Sequence, residues 1–200
     1  MSFYLGITGG IATGKSTAVA HFQQLGFPIV DADLIAREVV LPGTPGLASV
    51  VAAFGETILT DQGALNRDFL GEIVFSDGDK RKQLNQLLSP FIRQEILHQM
   101  ATFKEQPLVI VDIPLLYEAG YDQYMDQVAV IYVPEAIQKQ RLMIRNQLSE
   151  AEADLRIASQ LPIEKKKVRA DVVFDNQDSV ADLIQQIDAW IEDFIGKVQV

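Results

Sequence analysis

The 200-residue chain has no cysteine, which excludes disulfides and thiolate metal sites and suits a reducing cytosol. Its two histidines, His21 and His98, stand alone at helical positions without ligand-like neighbours, so core or surface histidines are expected, not a metal centre. Long hydrophobic runs are missing: the apolar stretches Leu108 to Val111 and Val128 to Val133 fall far short of the ~20 residues a membrane-spanning helix needs. No basic region precedes the N-terminal apolar run, which argues against a secretory leader. Positive charge is scarce as well. Seventeen Lys and Arg face 27 Asp and Glu, a net charge of −10, and this argues against general nucleic-acid binding, whose affinity comes from a basic face. Yet Lys139, Arg141, Arg145, Arg156, Lys165, Lys166, Lys167 and Arg169 crowd into one stretch. Either that stretch focuses potential on a small anion or it is a solvated helical face.

What the chain does have is a phosphate-loop pattern near its start. Gly9-Gly10-Ile11-Ala12-Thr13-Gly14-Lys15-Ser16-Thr17 fits G-x-x-x-x-G-K-[ST]. In that pattern glycines let backbone N–H groups curl round phosphate oxygens, the lysine reaches the β- and γ-phosphates, and the serine hydroxyl ligates Mg²⁺. The apolar run Phe3 to Thr8 before it reads as a buried parallel strand, and Thr17 to Leu25 after it as a helix stopped at Gly26. Strand, loop and helix stand in the order the motif requires.

Further strands are expected at Phe27–Asp31, Leu108–Asp112, Gln127–Val133 and Asp171–Phe174, with a helix from about Leu34 to Leu41. The closing helix carries the stripe Val180, Leu183, Ile184, Ile187, Trp190, Ile191, Phe194 and Ile195. This alternation predicts an α/β fold: a three-layer parallel sheet of about five strands with helices on both faces, of the P-loop NTP hydrolase type. Residues 1–42 and 106–200 would form the nucleotide-binding core. Residues 43–105 lack a good strand and read as a helical insertion, with Leu84, Leu87, Leu88, Phe91, Ile92, Ile96 and Met100 in one stripe. A second irregular stretch, about 136–168, reads as a lid of two helices separated near Ser149, where Ser149-Glu150-Ala151-Glu152 resembles a capping box.

Asp33 follows the second strand. If that strand neighbours the first, a carboxylate there faces the γ-phosphate and can accept the proton of an attacking hydroxyl; alternatively Asp33 caps the next helix. Asp112 is either a Walker-B carboxylate or a turn residue before Pro114. Leu115-Leu116-Tyr117-Glu118 either lines an acceptor pocket or packs. Arg141 and Arg145, four apart on one helical face, either close over the triphosphate or lie on the surface. A GTPase would need N-K-x-D, which is absent, and Asp68-Phe69-Leu70-Gly71 matches D-x-x-G only inside the insertion. A motor or assembly ATPase would need more than 200 residues comfortably provide. A kinase needs an acceptor-binding insertion and a lid, and both irregular stretches qualify.

With that, the chain resembles the dephospho-CoA kinase family almost end to end. The marks are Thr8-Gly9-Gly10-Ile11 leading Gly14-Lys15-Ser16-Thr17, Asp31-Ala32-Asp33 with Ala36-Arg37-Glu38-Val39-Val40, Leu65-Asn66-Arg67, Pro90 to Arg93, Asp112 to Glu118, and Ala170 to Val173 with Asp175-Asn176. The resemblance implies transfer of the ATP γ-phosphoryl group to the ribose 3′-hydroxyl of dephospho-CoA, the last step of coenzyme A synthesis. It implies Asp33 as base, Arg141 as a lid arginine for ATP, Ala12 to Thr17 at the ATP phosphates and Asn176 near the adenine; the loop motif and helical spacing add Lys15 as a catalytic group and Gly9, Gly10, Ile11 and Arg145 around ATP. Ser16 would hold Mg²⁺, and Thr8, Asp33, Arg37, Arg93 and Leu116 would contact the acceptor, with residues 43–105 as the CoA-binding domain. The enzyme so implied is cytoplasmic and acts on a small molecule without membrane or nucleic acid; a monomer is expected, with a homo-oligomer as the alternative. The alternatives are another small-molecule or nucleotide kinase and a non-catalytic nucleotide-binding module. Two positions depart from the family: Ala12 replaces a usual glycine, and Ser89 a common histidine.

Overall fold

Five of the seven residues of strand β1 (Phe3–Gly9) are buried, as are all of β3 (Leu108–Asp112) and the last five of β4 (Gln127–Tyr132). Such unbroken apolar runs belong to parallel strands covered on both faces. The computed structural model, which describes residues 2–198, joins these with β2 (Ile29–Asp31) and β5 (Val172–Asp175) in the order β2-β3-β1-β4-β5. Strand β1 runs parallel to β3, with Ile7 opposite Asp112, and parallel to β4, with Gly9 opposite Ile131. This corrects the expectation that the strand ending at Asp31 neighbours the first. The centre goes to the long apolar strands, and three-residue β2, preceded by Pro28, takes an edge where a missing N–H costs little.

One face of the sheet is covered by α1 (Lys15–Gln24) and α9 (Val180–Val198), which bury Ala18, Phe22, Leu183, Ile187, Ile191 and Phe194 against Leu5, Ile7, Ile110 and Ile131. The expected α9 stripe therefore engages at its centre. Its end members Val180 and Ile195 are 52% and 41% exposed. His21 ties the two helices together, its Nε2 standing 2.6 Å from Asp188 Oδ1.

The chain divides into two compact units, residues 1–30 with 103–200, and residues 31–102. The smaller is helical: α2 (Ala32–Glu38), α3 (Pro45–Phe54), α4 (Arg67–Ser76) and α5 (Gly78–Thr102), with Val50, Ile58 and Leu70 at its core. It starts at Asp31, ahead of the expected residue 43, because α2 packs against α5. Within the larger unit the expected lid contains three helices, not two: α6 (Glu135–Asn146), α7 (Glu150–Ala158) and α8 (Ile163–Arg169). The Ser149–Glu152 capping box forms, each side chain meeting the other's backbone N–H. The overlooked break comes at Pro162, whose fixed φ suits a helix start. Among the described residues no helix is long and apolar enough to cross a membrane.

Candidate active site

The phosphate loop joins β1 to α1. Gly14 caps α1 with φ 96°, a left-handed conformation that only glycine adopts without strain. A Cβ there would also lie 2.2 Å from Asn176 Nδ2. Ala12 is left-handed too, at φ 63°, which costs a non-glycine residue on the order of 1 kcal/mol. Its methyl is not idle: with Ile11 it packs against the cluster of Leu142, Ala153 and Ile157 on α6 and α7. The departure from glycine at this position thus exchanges backbone ease for contact with α6 and α7.

The N-terminal turn of α1 presents Lys15 and Ser16, whose backbone N–H groups have no carbonyl one turn earlier to bond and so suit an anion. Lys15 Nζ donates to Asp112 Oδ1, a pair with side chains only 18% and 10% exposed. Asp112 thus stands at the end of the strand next to β1 and partners the loop lysine. Asn176, at the end of β5, donates from Nδ2 to the Thr13 carbonyl at 2.8 Å, and Arg141 donates to the Asn176 carbonyl at 2.9 Å. Asp112, Arg141 and Asn176 are therefore gathered round the loop by β3, α6 and β5.

Other expected site residues go elsewhere. Arg145 is exposed and donates from Nε to Asn146 Oδ1 at 2.9 Å, so it is turned to a neighbour on its own helix end instead of the loop. The Ile11 N–H is donated to Gln160 Oε1 at 2.9 Å, which makes it a link to the α7–α8 turn. Thr8 is wholly buried, its hydroxyl donating to the Pro114 carbonyl at 2.9 Å. Leu116 is wholly buried as well, packed over Gly6, and so forms part of the floor beneath the site, not an exposed acceptor wall. Ser16 is exposed at the start of α1. In the smaller unit Asp33 and Arg37 are exposed on α2, and Arg93 is half-buried on α5. Asp33 does not cap: the Asp31 carboxylate does, accepting from the N–H groups of Asp33 and Leu34. A cavity of about 490 Å³ opens in this unit between Glu38 and Val39, Thr44 to Gly46, and Phe91 to His98.

Two buried polar side chains beside the loop escape a reading of the sequence by motif. Lys166 is fully buried, with its ammonium on the Gly9 and Pro114 carbonyls, and Gln138 is buried beside Gly10. Helical spacing carries the signal: Lys166 follows Ile163 by three, and Gln138 precedes Leu142 by four, which puts each on a buried face. The basic stretch proves to be neither a solvated face nor a uniform anion trap. Lys139 meets Glu150 and Asp154, Arg169 meets Asp122 and lies over the Tyr117 ring, and Lys167 lies over Tyr132.

Tyr117 adds a test of packing. Its hydroxyl is buried without a hydrogen-bond partner, and burial first, then the negative charge of Asp171, pushes its pKa to about 12. Tyr117→Phe removes that orphan group, so urea unfolding should show stability unchanged or raised by about 1 kcal/mol. A loss of 2 kcal/mol or more would show that the hydroxyl is engaged.

The comparisons with known proteins agree with this geometry. The family model for dephospho-CoA kinase matches residues 3–182. A dephospho-CoA kinase of Enterococcus faecalis is 59% identical over 198 residues, covering 98% of this chain and 100% of the relative. One of Arabidopsis thaliana is 45% identical over 92% of this chain and 80% of its own length. The solved dephospho-CoA kinase from Campylobacter jejuni superposes with a TM-score of 0.78 at 34% identity, over 100% of both chains. A shikimate kinase from Acinetobacter baumannii shares the fold at a TM-score of 0.53 and 18% identity. With a phosphate loop, a paired Lys15 and Asp112, and relatives matched along their whole length, the chain belongs to the dephospho-CoA kinase family.

Proposed function

We propose that this chain transfers the γ-phosphoryl group of ATP to the ribose 3′-hydroxyl of dephospho-CoA, giving coenzyme A and ADP. The observation that carries the reading is the phosphate loop with Lys15 held by Asp112 and braced by Asn176 and Arg141, in a chain matched end to end by dephospho-CoA kinases. In the reaction the ribose oxygen forms the new P–O bond, the bond from the γ-phosphorus to the β–γ bridging oxygen breaks, and the hydroxyl proton passes to Asp33. Lys15 and the loop amides hold the β- and γ-phosphates, and Arg141 neutralises charge that develops on the transferring group.

Among the described residues no group of three or more His, Cys, Asp or Glu is arranged to hold a metal ion. The donors that are present, the Ser16 hydroxyl and the Asp112 carboxylate, are hard oxygens. They suit Mg²⁺, which takes few protein ligands and completes its shell with phosphate oxygens and water. Bound there, the ion would neutralise phosphate charge. The smaller unit takes the acceptor in this reading, through Asp33, Arg37 and Arg93. Its cavity, edged by Glu38 and Glu95, suits the uncharged arm of dephospho-CoA better than a phosphate. The enzyme is read as cytoplasmic.

The test offers MgATP with dephospho-CoA, AMP or shikimate and follows products by mass. Dephospho-CoA should gain one phosphoryl group, and chelation of Mg²⁺ should stop the gain. Phosphorylation of AMP or shikimate alone would replace this reading with another kinase activity. No transfer to any acceptor, with ATP still bound, would favour a nucleotide-binding module.

A further inference from the structure

Lys166 is the one lysine or arginine among the described residues with no exposed surface at all. An ammonium carries three N–H donors, and here there are three acceptors: the Gly9 carbonyl at 3.1 Å, the Pro114 carbonyl at 2.9 Å and Glu118 Oε1 at 2.9 Å. Each acceptor belongs to a different part of the site. Gly9 ends β1 and opens the phosphate loop. Pro114 stands two residues past Asp112, the partner of Lys15, and also accepts the Thr8 hydroxyl. Glu118 closes the segment after β3, and its same oxygen accepts the Leu161 N–H from the α7–α8 turn.

A buried ammonium is an expensive way to fill space, since a methionine would pack as well without desolvation. Burial pushes the Lys166 pKa below the ordinary lysine range, Glu118 opposes that shift, and the charge of Lys15 adds to it. The two lysines thus feel each other at the strand ends where phosphates bind. What methionine cannot do is hold two carbonyl oxygens together. Without the ammonium, the Gly9 and Pro114 carbonyls lose their shared donor, and both the loop and the Asp112 strand end are free to shift.

We propose that Lys166 is a positioning residue for phosphoryl transfer: it clamps the first carbonyl of the phosphate loop to the segment following Asp112, and through Glu118 links that register to the turn between α7 and α8. The proposal rests on the kinase reading above, but its first readout, nucleotide affinity, does not depend on which acceptor is used. A misplacement on the order of 1 Å in such a site can cost about 10²-fold in rate.

The test compares Lys166→Met and Lys166→Arg with the parent, at a temperature where circular dichroism shows each folded. In Lys166→Met, ADP affinity by titration calorimetry should fall about tenfold and kcat by roughly 10- to 100-fold. Lys166→Arg can still donate to carbonyls and carboxylate, and it should recover affinity to within about threefold. A merely structural lysine would lower the melting temperature of Lys166→Met yet leave ADP affinity and kcat of the folded protein near parent values, and that result would overturn the proposal. If Lys166→Met does not fold, Glu118→Gln decides. It keeps the lysine but weakens its anchor, so ADP affinity should drop by about threefold or more, and unchanged affinity would overturn the proposal equally. Loss of ADP affinity together with no transfer to dephospho-CoA by the parent would instead uphold the clamp and reject the assigned acceptor.

Discussion

Asp33→Asn should lose roughly 10²–10⁴ in kcat while binding ADP as tightly as the parent, because a general base contributes about that much. The structure makes the test clean. Asp31 already caps α2, accepting from Asp33 and Leu34 N–H groups at 2.8 and 3.0 Å, so the Asp33 carboxylate is not needed to start the helix. Its side chain is exposed, and asparagine matches it in shape. Neither capping nor packing therefore changes, and α2 should stay as stable as before. What asparagine cannot do is take the proton from the ribose hydroxyl. Steady-state kinetics with saturating MgATP and dephospho-CoA, alongside ADP titration, measure the two effects separately. Turnover near that of the parent would remove Asp33 from the role of base. Loss of ADP affinity of the same size as the loss in rate would show that Asp33 serves nucleotide binding instead.

The parts of this molecule that were legible in the sequence are those where local chemistry dictates structure. Gly14 must be glycine because its φ is left-handed and Asn176 leaves no room for a Cβ, so the loop motif announces itself. The strands β1, β3 and β4 were visible as unbroken apolar runs, and Ser149 with Glu152 as a capping box. Strand order was not legible, because nothing local to Ile29–Asp31 says that β3 pairs between it and β1. That missing fact left open which carboxylate the loop lysine meets: the side chain found on Lys15 is Asp112, 97 residues away in sequence. Nor were the ties of Lys166, whose partners are contributed by β1 and by the segment after β3. A lysine in a run of Ile163 to Arg169 with three other cations reads as solvated until the fold supplies carbonyls for it. Arg145 lies on the surface. Its spacing from Arg141 puts both on one face of α6, and there its Nε donates to Asn146 Oδ1.

Lys15→Met should weaken ATP binding and cut kcat by about 10²–10³, the usual effect of removing one electrostatic stabiliser of the transition state. Two contributions add here. The ammonium that reaches the phosphates is gone, and the Asp112 carboxylate, 10% exposed at the end of β3, no longer has the Lys15 charge beside it. The Asp112 charge, no longer offset by Lys15 at that strand end, repels the incoming triphosphate, so the single variant should bind ATP worse than loss of one contact alone would cause. The double variant Lys15→Met with Asp112→Asn separates the two. It removes the repelling charge and should regain part of the ATP affinity lost by Lys15→Met, while its kcat stays low because nothing replaces the ammonium. The difference between the double variant and the sum of the single ones is the coupling between the two side chains, which for groups in direct contact is typically 0.5–3 kcal/mol, about two- to 150-fold in affinity. Calorimetric titration of the parent, both single variants and the double variant with ATP in Mg²⁺ gives all four corners of the cycle. If the double variant binds ATP no better than Lys15→Met, the phosphates do not sense the charge of Asp112, and its part at this site is confined to holding Lys15. If it regains affinity and turnover together, Lys15 is not the group that stabilises the transferring phosphoryl, and that role passes to Arg141, which is tied to the loop through Asn176.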